Sequence, residues 1–320
     1  MDHKDLPTHS HFLSLNGYCL NLEEKTALQS SLLILQENNH FHTVHFWGKI
    51  QGLQNDYLIA EGYRGSMMGE RTRFYSVDGG ITWNQMTFEL TEYEISCIET
   101  IRTLFVGIPT HSYVFEKPKE SVAKEPEKKP EAQSEQTENS DSKGDEDEQS
   151  NEEKEEEESH SEKPKQPVKD ETFTITEEKR LTWTVKSIDQ DASVVPRGAY
   201  VVKKDDDKVI VKNTTFSGLD KYQAAKLYNF VHLRLPVDKT LENIVAQQFI
   251  DKNLDFADSI DDDIPYGCWT IQYEELLNVV VVRSLMWPGY VFYHRLQSQV
   301  FGGYYIGTGL KNVDLCFMMP

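Results

Sequence analysis

Residues 116–170 hold 20 acidic and 10 basic side chains and no aromatic one, so this stretch carries half of the chain's formal net charge of −20. Val122, Ala123, Ala132 and Val168 are its only residues from the hydrophobic set. A segment of that composition cannot bury enough apolar surface to offset the entropy of ordering it. It is expected to be disordered, which leaves residues 1–115 and 171–320 to fold. The length allows a sizeable core. These parts are expected to be two halves of one compact α+β body, with mixed or antiparallel sheets and a few helices, separated by the insert.

In the first half, Asn21 followed by Glu24 is a capping pattern, and Leu28, Leu32 and Leu35 follow at helical spacing. The spacing predicts a helix over residues 22–37. Residues 41–50 are aromatic and β-branched and read as a strand, with a short return over 57–60. Residues 71–77 and 81–86 flank Asp78-Gly79-Gly80 and read as a hairpin. Residues 95–106 are apolar and compatible with helix or strand; the preferred reading is a helix ending near Gly107-Ile108-Pro109.

In the second half, Thr176 with Glu177 and Glu178 caps a helix to about residue 187, with Leu181, Val185 and Ile188 inward. An extended stretch over 194–202 contains the Pro196-Arg197-Gly198 corner. A hairpin through Asp205-Asp206-Asp207 returns over 209–212, and Ser217 opens a helix carrying Leu219, Tyr222, Ala225 and Tyr228. Strands over 269–273, 279–284, 290–295 and 301–306 complete the chain. The absence of a regular strand–helix alternation argues against a doubly wound parallel sheet.

Ser76-Val77-Asp78-Gly79-Gly80-Ile81-Thr82-Trp83 fits S-x-D-x-G-x-T-W, the Asp-box of sialidases and other β-propellers. Its chemistry is that of a turn: Asp78 accepts backbone N–H groups, the glycines allow positive φ, and Trp83 packs beneath. One box in a folded mass this small does not make a propeller hydrolase. His40, His42 and His45 cannot reach one ion from a strand, because His45 points away from the other two. Residues 251–255 resemble the start of a calcium loop, but Phe256 and Asp258 occupy the positions where geometry is strictest. Asp258, Asp261, Asp262 and Asp263 read instead as a solvated loop. Gly302-Gly303 and Gly307-Thr308-Gly309 lack the Lys-Ser/Thr of a phosphate loop. No catalytic, cofactor-binding or metal-binding residue is nominated, and no cofactor is expected.

Cys19, Cys97, Cys268 and Cys316 are scattered, as in a reducing compartment. The first dozen residues lack an apolar core of a signal peptide, and no apolar run approaches a membrane span. The acidic balance and lack of a basic stripe disfavour nucleic acid. These features suit a cytoplasmic protein with neither nucleic acid nor membrane as partner. A cytosolic acidic adaptor or binding module stays open at this point, with an Asp-box glycoside hydrolase a distant alternative.

An ordered set of stretches resembles the radial spoke head proteins of the ciliary axoneme. In the first half they are Leu32-Leu33-Ile34-Leu35, Val44-His45-Phe46-Trp47-Gly48-Lys49-Ile50, Asp56-Tyr57-Leu58-Ile59-Ala60 and Phe74-Tyr75-Ser76. In the second they are Glu178-Lys179-Arg180-Leu181, Val194-Val195-Pro196-Arg197-Gly198-Ala199 and Asp263-Ile264-Pro265 leading to Trp269. Arg283-Ser284-Leu285-Met286-Trp287-Pro288-Gly289, Phe292-Tyr293-His294, Tyr305-Ile306-Gly307-Thr308-Gly309 and Lys311-Asn312 complete the set. The resemblance implies a non-enzymatic subunit of the spoke head in motile cilia or flagella, hence of the cytoskeleton. It implies radial spoke head proteins four and six as neighbours and, through the head, the spoke stalk and central-pair projections. The implied role is assembling the head and relaying mechanical contact from the central pair toward the dynein arms.

Overall fold

A computed structural model describes the 320-residue chain except residues 3, 15–16, 18, 66–70, 87–88, 117–171, 204–205, 235, 238–255 and 319–320. Nearly all of the acidic insert and residues 251–255 of the calcium-like stretch therefore lie outside the described residues. Met1–Val114 and Thr174–Pro320 form one compact unit, and Phe115–Phe173 clusters separately.

The first half contributes α1 (Leu6–Ser14), α2 (Leu22–Asn38), β1 (Thr43–Ile50), β2 (Tyr57–Tyr63), β3 (Arg71–Ser76), β4 (Asn84–Gln85), α3 (Glu92–Thr100) and β5 (Ser112–Glu116). The second contributes β6 (Thr172–Thr176), α4 (Glu177–Ala192), β7 (Val194–Pro196), β8 (Tyr200–Lys203), β9 (Asp206–Lys212), α5 (Lys221–Ala224) and β10 (Phe230–His232). It closes with β11 (Trp269–Glu274), β12 (Val279–Ser284), β13 (Tyr290–Arg295), β14 (Phe301–Gly307) and α6 (Leu315–Met318).

Eight strands form one sheet in the order β11-β12-β13-β14-β1-β2-β3-β4. Each half supplies an antiparallel meander, and the two join through β1 and β14, which run parallel and pair Gly48 with Tyr305 and Ile50 with Gly307. At Gly48 a Cβ would lie 2.2 Å from the Tyr305 carbonyl oxygen, so only glycine lets the strands meet at this register. β5 with β6, β7 with β10, and β8 with β9 make three smaller two-stranded sheets.

The sheet is covered on both faces. Leu28, Leu32 and Leu35 of α2 and Leu6 of α1 pack with Val44, Phe46, Val279, Val281 and Tyr293 on one face. Leu181, Val185 and Ile188 of α4 pack with Ile59, Val280, Val282, Phe292 and Tyr305 on the other. The run Val279–Val282 shows no polar alternation because successive side chains enter opposite buried layers. Burying each such side chain contributes roughly 1.5–3 kcal/mol.

The α+β class and most of the expected elements agree with the reading of the sequence; the bounds of three helices differ, and α1, β5, β6, β10 and α6 were not expected. The helix expected over 95–106 is α3. Thr91 and Glu94 form a capping box, with the Thr91 N–H donating to Glu94 at 2.8 Å, which fixes the start at Glu92. The chain then leaves the helix at Ile101, and Phe105 instead bridges Gly52. The helix expected from Ser217 shrinks to the single turn of α5, because Asp220 caps it through the Gln223 N–H at 2.7 Å. Gly218 (φ 94°) and Leu219, whose N–H donates to His294 Nε2 at 3.0 Å, lie outside the helix. Conversely, α4 runs a turn beyond residue 187, since Ile188 and Ala192 continue its buried stripe. Among the described residues no helix is long and apolar enough to cross a membrane.

Candidate functional site

The Asp-box is a closed turn. The Asp78 carboxylate accepts from Ser76 Oγ (2.6 Å), Thr82 Oγ1 (2.6 Å) and the backbone N–H groups of Ile81 (3.1 Å) and Thr82 (3.0 Å). Partial burial pushes this carboxyl up, but the hydrogen bonds from Ser76 and Thr82 outweigh it and hold the pKa at about 2. Gly79 and Gly80 take positive φ, and Trp83 packs against the core as expected. Every one of these bonds stays within residues 76–82, so the turn braces the β3–β4 hairpin.

Three indole N–H groups are held by carboxylates. Trp47 of β1 donates to Asp189 at 2.5 Å, Trp287 to Asp191 at 2.9 Å and Trp269 to Asp263 at 2.7 Å. Asp189 and Asp191 stand in the last turns of α4, where the helix dipole disfavours an acid. The sequence reading ended this helix near residue 187, so that placement became visible only in the structure. Lys311 adds a 2.8 Å bond to Asp191. Trp47, Trp287 and Lys311 thus fasten the sheet and the C-terminal loop to α4.

Asp189 also belongs to a buried ionic cluster. Arg73 bridges it to Glu61, with Nε at 3.0 Å from Glu61, while Arg71 lies 3.6 Å from Asp189. Tyr63 donates to Glu61 at 2.6 Å. Burial raises the Glu61 carboxyl, but the Arg73 and Arg71 guanidinium groups overcome this and hold it below the usual carboxylate range. For Asp189, burial and the Glu61 charge outweigh the arginines and push the carboxyl up. Two acids and two guanidinium groups balance one another.

This cluster borders a cavity of about 750 Å³ where β1 and β14 separate beyond their short parallel contact, with Trp47, Tyr63, Tyr200 and Phe301 also on its wall. Met1 and Asp2 follow the freed edge of β1: the Phe46 N–H donates to the Met1 carbonyl at 2.7 Å, and Asp2 bridges His45.

A second buried anion fixes the start of α4. The Glu177 carboxylate accepts from Tyr57 and Tyr113 hydroxyls, both at 2.7 Å, and from the N–H groups of Val106, Gly107 and Ile108 at 2.8, 2.7 and 3.2 Å. Burial raises its pKa, but these bonds, Tyr57 first, lower it overall. Arg180, one turn on, donates to Tyr113 at 2.8 Å and stacks 4.0 Å over Phe105. The sequence showed Glu177 only as a first-turn acid. Its receptor loop lies about seventy residues earlier, so no local pattern could reveal it.

The acidic stretch after residue 257 needs correction. Asp258 is buried and accepts from the Val237 N–H at 2.7 Å, and Asp263 accepts from Trp269 and faces His232 Nε2 at 2.9 Å. These two acids are structural, not solvated. His40 sits in a turn at φ 54°, His42 precedes β1, and His45 lies within β1 with its ring tilted against that of Tyr63. Among the described residues no group of three His, Cys, Asp or Glu side chains could hold a metal ion. What the geometry offers is attachment: charged and aromatic groups from distant parts of the chain converge on α4.

Residues 1–188 match the family described as radial spokehead-like protein. Over the whole of both chains the protein is 34% identical to a radial spoke head protein 9 homolog of Danio rerio. The corresponding figures are 32% for the Bos taurus and 31% for the Homo sapiens protein of that name, again over full length. The chain therefore belongs to the radial spoke head protein family, as a homologue of radial spoke head protein 9.

Proposed function

We propose that this protein is a non-enzymatic structural subunit of the radial spoke head in the axoneme of motile cilia or flagella. The observation that carries the reading is the end-to-end match, without truncation of either chain, to proteins named for that assembly. The fold gives the reading physical sense. A sheet stitched from both halves and clamped to α4 by Trp–Asp bonds is a rigid block, suited to passing on a load. In this reading the neighbours are radial spoke head proteins four and six, and the head relays contact from central-pair projections toward the dynein arms. Residues 1–115 and 171–320 serve as the two halves of the block, and residues 116–170 present a negative surface to neighbouring structures. Fractionating axonemes after salt extraction tests the assignment. Co-sedimentation with spoke particles, and loss of the head when the protein is absent, are the expected results. A protein found only in the soluble fraction and missing from spoke particles would sink it.

A further inference from the structure

The helix α2 is apolar on two sides. Its inner side, Leu28, Leu32 and Leu35, is buried against the sheet. On its outer side Leu22, Leu33 and Ile34 are 77%, 44% and 55% exposed. At 100° per residue, Leu22, Thr26, Ser30, Leu33 and Ile34 fall within about one third of the helix circumference. No charged side chain interrupts the exposed positions between Thr26 and Ile34, although 27% of the whole chain is charged. The two hydroxyls there are folded back onto the helix. Thr26 donates to the Glu23 carbonyl at 2.9 Å and Ser30 to the Ala27 carbonyl at 3.1 Å. What remains outward is a smooth surface of small and aliphatic groups, the kind against which another helix can approach closely.

Exposed glutamates bound this stripe. Glu23 and Glu37 stand on the same face as Ser30, seven residues to either side, and so about 21 Å apart along the axis. Glu37 lies in the last turn of α2, which contains no basic residue, so the helix dipole disfavours its charge. A cation from outside would relieve it. A second copy of this chain could not do so. An antiparallel two-fold pairing about Ser30 would set Glu23 against the partner's Glu37, and each copy carries a net charge of −20.

We propose that the outer face of α2 docks a helix of a different polypeptide, with an apolar centre over Ser30–Ile34 and a basic residue toward each end. This deepens the spoke-head reading, on which it rests, by assigning a face of the subunit to a neighbour.

The test compares full-length chains expressed in ciliated cells that lack the endogenous protein. Ser30→Arg and Ile34→Glu, at exposed positions, should leave the melting temperature of the purified chain within about 2 °C. They should lower its retention in washed axonemes at least tenfold, while Ser30→Ala keeps it. A photo-reactive benzoylphenylalanine at Gln29, on the rim, should cross-link to a helical peptide of another polypeptide that carries Lys or Arg beside apolar residues. Retention of both bulky variants at the unaltered level would overturn the docking face and leave the spoke-head reading standing. Absence of the unaltered chain from axonemes would overturn both. A cross-link to a second copy of this chain, or to a peptide without basic residues, would also overturn the proposal.

Discussion

Trp47 and Asp189 are 142 residues apart in the chain, yet the indole N–H meets the carboxylate at 2.5 Å. This bond joins the central strand of the sheet to the helix that covers it, and the same carboxylate receives Arg73. The pair therefore links the apolar core to the buried ionic cluster. Trp47→Phe, which keeps one aromatic ring but removes the indole N–H and the five-membered ring that carries it, is expected to cost about 2 kcal/mol. Asp189→Ala leaves Arg73 and Arg71 facing Glu61 alone and is expected to cost about 3–5 kcal/mol. Urea denaturation of the purified chain measures both, and equal losses would show that the indole bond carries the whole effect.

Stability should fall on acidification below about pH 4.5, where the raised Asp189 carboxyl is already protonated. The folded-state pKa values of Glu177, Asp78 and Glu61 all lie below their ordinary values. A depressed carboxyl contributes stability that is complete above its unfolded pKa, near 4, and is lost as pH falls through the folded value. The thermal midpoint is expected to drop between about pH 4.5 and pH 2 on account of these groups. In Glu177→Gln the drop should be shallower and the midpoint at neutral pH lower, because the amide satisfies the three backbone donors less well. A wild-type slope in that variant would refute the assignment.

Gly48→Ala should separate the two meanders. The added methyl would collide with the Tyr305 backbone in the paired stretch of β1 and β14, which spans three residue pairs. A loss of about 3 kcal/mol or more is expected, with faster hydrogen exchange in β1 and β14. An unchanged exchange pattern would mean that the halves are held together elsewhere.

Removing residues 120–168 should not lower the melting temperature. The residues on either side belong to one compact unit, Met1–Val114 with Thr174–Pro320. Removing 49 of the 55 residues that link Glu116 to Thr172 lowers the closure-entropy cost only logarithmically, by about 2 kcal/mol, in favour of the folded state. A fall of more than 5 °C by calorimetry would show that the insert contributes to the folded body. Normal head assembly and beating in cells carrying this deletion would remove the proposed role of the negative surface.

The helix over 22–37, the hairpin around Asp78 and the four C-terminal strands were legible because each rests on a local cause: caps, periodicity or turn residues. α3 and α5 were misplaced where a capping box, Thr91 with Glu94 or Asp220 with Gln223, overrode the apolar pattern nearby. The surroundings of Glu177 and Asp258 were invisible, since their partners lie far off in sequence or depend on a loop folding back.

The sequence by itself determined the α+β class, the principal helices and strands, the turn chemistry of Ser76–Thr82 and, through its ordered motifs, the family. Only the tertiary structure decided that β1 and β14 merge the two halves into one sheet, and that Trp47, Trp287, Arg73 and Tyr57 converge on carboxylates of α4. The physical reason is range. Capping, periodicity and positive φ act over a few neighbouring residues, whereas a buried charge takes its partners from whichever strands the packed core brings within hydrogen-bond distance.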